Sequence, residues 1–193
     1  KQSSKEKRIV ITISREYGSG GRYVGKLLAE SLNIPFYDKE LITLTSKSTG
    51  LGKKYIQQTE QKLSAAKFEG NNDDRIFLAE EKVIKKLAKN SCVIVGRCAD
   101  YILKDNQDVI SIFLYSDEEN KIKRAVKYYN LEEKTAKKQI KKINQERAKH
   151  YKYYTNRNWY DFSNYNLILN VDSLGVEKNA KLIEDYIKAK NSK

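Results

Sequence analysis

The chain has 193 residues, 39% of them hydrophobic, with 38 Lys or Arg against 25 Asp or Glu and a formal net charge of +13. This length allows one domain with a sizeable core, and the hydrophobic content excludes a wholly disordered chain. No apolar run is long enough to span a membrane, the charged first eight residues do not read as a signal peptide, and two cysteines make neither a disulfide framework nor a zinc quartet, so a reducing, cytoplasmic setting is expected.

Residues 8–14 (RIVITIS) read as a first strand, followed by a helix over 22–32 with Val24, Leu27, Leu28 and Leu32 on one face. A short strand at 34–37 and a short helix at 39–46 come next, then a polar, weakly patterned stretch over 47–73. A helix is expected over 74–89, its apolar stripe formed by Ile76, Phe77, Val83, Ile84 and Leu87. Strands follow at 92–96 (CVIVG) and 108–115 (DVISIFLY). Ser116 and Glu119 are spaced as a capping box for a helix over 117–129, and Asn130 and Glu133 as another for a helix over 131–149. A last strand at 166–171 (NLILNV) leads into a helix over 174–189, with Leu174, Val176, Leu182, Ile183, Tyr186 and Ile187 as its apolar positions. Several strands are apolar without polar alternation, which predicts burial on both faces. Strands alternating with helices predict an α/β fold with a mainly parallel sheet.

The most informative segment is SREYGSGGR at 14–22, between the first strand and the first helix. Glycines there let several N–H groups turn toward one point, and the helix N-terminus adds partial positive charge. Gly18, Ser19, Gly20 and Gly21 are therefore the expected phosphate cradle, with Arg15 and Arg22 as forked cations beside it. GGRYVGK at 20–26 matches the first seven positions of the P-loop pattern, but Leu27 stands where a magnesium-binding hydroxyl belongs. Gly25 and Lys26 also fall one turn inside the helix, so that match is set aside.

ITISREYGSGG, IPFYDKELI, SCVIVGRCADYIL and YKYYTNRNW, in that order, resemble the cytidylate kinase-like family, a bacterial branch of the P-loop nucleoside monophosphate kinases. The resemblance runs from residue 8 to residue 187 or so, nearly the whole chain. It implies a single domain with the three-layer P-loop kinase fold: a five-stranded parallel sheet (core 8–37, 91–130 and 163–190), a helical substrate-binding insert at 38–90 and a mobile lid at 131–162. It implies transfer of the γ-phosphoryl group of ATP, with Mg2+, to a nucleoside monophosphate, CMP or dCMP first.

Residue by residue, the resemblance sets Gly21 where ordinary cytidylate kinases have the loop lysine, and Arg22 next to it in the lysine's role. Asp38 falls where an aspartate helps hold the substrate nucleoside. Arg97 falls where an arginine contacts the acceptor phosphate, with Cys98 replacing an aspartate and Asp100 two positions on. Arg147 falls in the lid, where arginines close over the phosphates, and Asn144 stands where an aspartate is expected. Arg124 and Arg157 either join these cations, Arg124 at the nucleotide and Arg157 at the transferring group, or are ordinary surface charges. Phosphoryl transfer needs mainly positioning and charge neutralisation, which arginines from separate segments supply. No protein ligand for the magnesium is named: Ser19 is one candidate, and Asp38 or Asp100 through water are others.

Residues 121–154 hold twelve Lys or Arg against three Glu, and residues 151–165 hold seven aromatics. Either the aromatics pack within a lid, or the stretch binds single-stranded nucleic acid, which ranks well behind. His150 is expected at the surface, Cys92 in the core and Cys98 beside the acceptor site. The competing readings are a nucleotide-binding module without turnover and a kinase of another small phosphorylated acceptor. The expected partners are nucleotides rather than a membrane.

Overall fold

A computed structural model describes residues 7–48 and 72–192. Five strands form one all-parallel sheet: β1 (Val10–Arg15), β2 (Phe36–Tyr37), β3 (Cys92–Val95), β4 (Val109–Tyr115) and β5 (Leu167–Asn170), in the order β2-β3-β1-β4-β5. The helices among the described residues are α1 (Gly21–Leu32), α2 (Lys39–Ser48), α3 (Asn72–Leu87), α4 (Ala99–Ile102), α5 (Glu118–Tyr129), α6 (Glu133–Thr155) and α7 (Gly175–Asn191). The α/β class and the five-stranded parallel sheet agree with the sequence reading. Most of the weakly patterned stretch lies outside the described residues. Among these, no helix is long and apolar enough to cross a membrane.

Successive residues of a strand face opposite sides, so each apolar strand feeds two cores. Ile11, Ile13, Val93, Val95, Ile112 and Leu114 pack on one face with Val24 and Leu28 of α1 and Ile183 and Ile187 of α7. Val10, Cys92 and Ile94 pack on the other with Ile42 of α2, Val83 and Ile84 of α3, and Ala99 and Leu103. Each large aliphatic side chain fully buried in this way contributes about 2 kcal/mol. Gly25 serves this packing: a Cβ there would lie 3.0 Å from Ile13 Cδ1 and 3.2 Å from Val95 Cγ2. It brings α1 close to the sheet and takes no part in a phosphate loop.

Neither capping box forms. Ser116 Oγ donates to Asp172 Oδ2 at 2.7 Å, and α5 starts from Asp117 without a side-chain cap bond. Asn130 instead ends α5 in the left-handed region (φ 54°), where an asparagine is well tolerated, and α6 starts after Glu132. α6 also runs past the expected end at 149, because Tyr151 and Thr155 of its last turns are buried and Tyr151 packs with Phe77, Cys98, Phe113 and Trp159. On α7, Leu174 and Leu182 are exposed rather than packed.

Candidate phosphate and acceptor sites

β1 is the central strand, and its carboxyl end opens into the glycine loop, where ligands of open α/β sheets bind. Arg15 is the last residue of β1. Two glycines make room for it. A Cβ at Gly21 would lie 2.6 Å from Arg15 Cβ, and one at Gly96 would lie 3.0 Å from its Nη1. Burial first, and Arg147 second, push the Arg15 guanidinium down to about 9. Among the described residues no carboxylate forms an ion pair with it.

The loop itself is held by its neighbours. Ser19 Oγ, fully buried, donates to the Glu16 carbonyl at 2.7 Å and accepts the Gly21 N–H at 3.2 Å. The Tyr17 N–H donates to Asn144 Oδ1 of α6 at 2.7 Å, and Glu16 pairs with Lys121 at 3.1 Å. Gly18 and Gly20, at φ 81° and 78°, are left-handed. Among the described residues their N–H groups have no protein acceptor. The first-turn N–H groups of Arg22 and Tyr23 have none within a helix by construction of its first turn. The loop glycines, the α1 N-terminus and half-buried Arg15 thus line one cavity of 200 Å³.

That cavity is lined by Arg15, Gly18, Gly20, Gly21, Arg22, Asp38 and Arg147 of the expected set, and by Glu16, Lys39, Tyr17 and Tyr129 besides; the Glu16 carboxylate is engaged by Lys121 and the Tyr160 hydroxyl. Arg147 Nη1 donates to the Arg15 carbonyl at 3.0 Å and its guanidinium lies 5.5 Å from the Tyr17 ring centroid. Burial lowers its pKa too. Arg22 binds Asp38 through Nε (3.0 Å) and Nη2 (2.9 Å), while Asp38 Oδ1 accepts the Leu41 N–H and caps α2.

A second cavity, of 640 Å³, adjoins the first through Lys39, which among the described residues is the one that lines both. Its walls include Arg97, Glu80, Thr43, Lys149, His150 and Tyr153. Gly96, Arg97 and Cys98 are three successive left-handed residues (φ 79°, 56° and 57°), a conformation that costs a non-glycine residue about 1–2 kcal/mol. It aims Arg97 at Glu80, which is fully buried in α3, with Nε and Nη2 both 2.7 Å from Oε2. Thr43 Oγ1 donates to the other Glu80 oxygen at 2.9 Å.

The remaining expected residues lie elsewhere. Arg124 sits behind the loop, donating to Ser116 Oγ (2.8 Å), Asp172 (2.8 Å) and the Gly18 carbonyl (3.3 Å). Asp100 is buried and accepts the Tyr151 hydroxyl at 2.7 Å; burial raises its pKa. Arg157 lies 5.1 Å from the Tyr101 ring centroid, outside both cavities. His150 is half-buried rather than free at the surface: it lines the larger cavity, its Nδ1 is 3.7 Å from Cys98 Sγ, and burial, then Arg97 and Lys39, push it down to about 4. Burial pushes the Cys98 thiol up to about 12, so it is no thiolate at neutral pH.

No magnesium ligand set fits the described residues. They hold no cluster of three His, Cys, Asp or Glu. Ser19 is spent on the loop, and the Asp38 and Asp100 carboxylates are engaged by other partners.

Lys39 and Glu80 escaped the sequence reading. Both left a signal: a lysine at the first residue of a helix opposes the helix dipole, and Glu80 interrupts an apolar stripe three residues after Phe77 and three before Val83. Comparison with known proteins gives the context. Residues 10–173 match the sequence model of the cytidylate kinase-like family. The crystal structure of an uncharacterized protein from Eubacterium ventriosum ATCC 27560 is 33% identical, covering 95% of this chain and 99% of its own, with a TM-score of 0.78. Shikimate kinase from Bacteroides thetaiotaomicron is 15% identical (94% of this chain, 99% of its own, TM-score 0.57). Shikimate kinase from Acinetobacter baumannii, in complex with shikimate, is 17% identical (97% of each chain, TM-score 0.56). These two share the fold. No curated protein matches the chain.

Proposed function

The chain belongs to the cytidylate kinase-like family, and from that premise we propose that it transfers the γ-phosphoryl group of ATP to a nucleoside monophosphate, CMP or dCMP first. The observation that carries this reading is the half-buried, desolvated Arg15 guanidinium, which among the described residues has no ion pair and lies beside Gly18 and Gly20 amides without a protein acceptor. An anion offsets the desolvation of such a group, and a polyphosphate fits both the charge and the amides.

In this reading ATP lays its phosphates in the smaller cavity, and the acceptor enters the larger one. An acceptor phosphate oxygen bonds to the γ-phosphorus while the bond to the β,γ-bridging oxygen breaks, and that electron pair leaves with ADP. Arg15, Arg22 and Arg147 spread the charge of the transferring group. Arg97, turned away from Glu80, holds the acceptor phosphate. The stretch 38–90 acts as the acceptor-side insert and 131–162 as the lid. Arg124 and Asp38 act by position, one bracing the loop and the other orienting Arg22.

A binding module without turnover is the second reading, favoured by Gly21 standing where the loop lysine belongs. One assay separates the two: ADP release from MgATP with CMP, dCMP, UMP, AMP, GMP or no acceptor, beside Arg97→Ala. A pyrimidine acceptor should be used, and Arg97→Ala should raise its KM by about 10-fold or more with little change for ATP, as loss of a charged hydrogen bond requires. Tight ATP binding with no turnover on any acceptor supports the module instead. Equal KM effects on both substrates remove Arg97 from the acceptor side.

A further inference from the structure

We propose that Lys39 spans the two cavities and carries the charge of the phosphoryl group in transit, the task for which the glycine loop holds no lysine. The assignment rests on the kinase reading above. Three observations support it. Among the described residues, Lys39 is the one shared by the phosphate cavity and the acceptor cavity, so it lies at their junction.

Its electrostatic surroundings are unfavourable without a ligand. Lys39 is the first residue of α2, at the positive end of the helix dipole. Lys39 is exposed at the mouth of the cavities; partial desolvation first, then Arg97, Arg147 and Arg15, lower its pKa. Glu80 is the carboxylate that favours its charge, yet Glu80 already serves Arg97 and Thr43. Among the described residues Lys39 forms no ion pair of its own. A cation kept among guanidiniums from both cavities breaks local rules, as residues at functional sites do, and a polyanion across the gap relieves all of them together.

Its place is also held. Asp38, the preceding residue, is buried, tied to Arg22 on one oxygen and to the Leu41 N–H on the other. The start of α2 is therefore anchored to α1, and the lysine is presented from a fixed backbone.

The test uses Lys39→Met and Lys39→Arg in the full chain, checked for unchanged thermal stability. Calorimetry gives the Kd of MgADP, of CMP, and of an adenosine–cytidine pentaphosphate that reaches into both cavities; a coupled assay gives kcat and KM. A bridging cation acts chiefly on the spanning ligand and the transition state. Lys39→Met should lower kcat by about 100-fold while each KM moves by less than about threefold. It should weaken the pentaphosphate more than MgADP and CMP combined, and Lys39→Arg should recover part of both losses. An unchanged kcat, or an equal loss of all three affinities, overturns the bridging role while leaving the kinase reading intact. Wild-type protein that neither binds the pentaphosphate nor turns over any nucleotide acceptor overturns the kinase reading, and the bridging role with it.

Discussion

Arg15 concentrates the argument at the scale of one side chain. Its position at the end of a strand and before glycines is visible in the sequence, but its burial is not, since that depends on Gly21 and Gly96 clearing space from two different segments. Burial and Arg147 lower its pKa to about 9, so in the ligand-free protein its charge opposes folding. Replacing a half-buried charge that has no ion pair among the described residues with an apolar side chain of similar size should therefore stabilise the fold. After discounting for its partial exposure, we expect Arg15→Met to gain about 1 kcal/mol, or roughly 2–4 °C in Tm, and to lose the thermal shift that MgATP gives the wild type. Differential scanning fluorimetry with and without MgATP reads both effects. A lower Tm would mean that Arg15 is structurally satisfied, and a retained MgATP shift would place the phosphates elsewhere.

At the scale of elements, the contact that matters is α6 against the glycine loop. Asn144 accepts the Tyr17 N–H, and Arg147, almost one turn on, donates to the Arg15 carbonyl. The helix thus fixes the loop from above while Arg124 of α5 fixes it from behind. Asparagine meets the requirement without adding a further negative charge beside the proposed phosphate site, which gives a physical reason for its presence where an aspartate was expected. Asn144→Ala leaves the Tyr17 amide without its acceptor. MgATP affinity should fall by about 5–10-fold, equivalent to the loss of one hydrogen bond, and the Tyr17 amide should exchange faster with deuterium. Unchanged exchange at Tyr17 would show that the loop is held without α6. That α6 is a helix was legible from its polar, lysine-rich pattern. Its true start and end were not, because Asn130 was claimed by the end of α5 and the last turns are stabilised by burial of Tyr151 and Thr155.

For the whole molecule, charge is the dominant feature. Much of the excess over residues 121–154 lies on exposed faces of α5 and α6, where lysines such as Lys123 and Lys137 pair with exposed Glu119 and Glu118. Exposed pairs of this kind contribute little to stability, and they suit an ordinary solvated surface. The titration of His150 is a larger effect. Its pKa is about 4 in the fold against about 6.5 in an unfolded chain. The unfolded state then binds the proton first, so stability is full above pH 6.5 and falls as pH drops toward 4. After discounting for partial exposure, the loss should be about 2 kcal/mol over that window. Urea melts at pH 7 and pH 4.5 should show it, and His150→Gln should flatten the dependence. An equal slope in the variant would assign the acid sensitivity to other groups.

The sequence by itself determined the α/β class, the run of strands and helices, and the glycine loop with its two arginines. These follow from local rules: apolar runs bounded by breakers, the 3.6-residue period, and glycines at a strand-to-helix turn. Tertiary structure alone decided which charges meet. Tyr17 and Asn144 are 127 residues apart, and Arg147 and Arg15 are 132 apart, so no local pattern encodes their contact. The same holds for Asp38, drawn to Arg22 and a helix cap, for Asp100, taken by Tyr151, and for Arg157, set against Tyr101. A charged side chain carries its type in the sequence but acquires its partner, its burial and its pKa only when the chain closes around it.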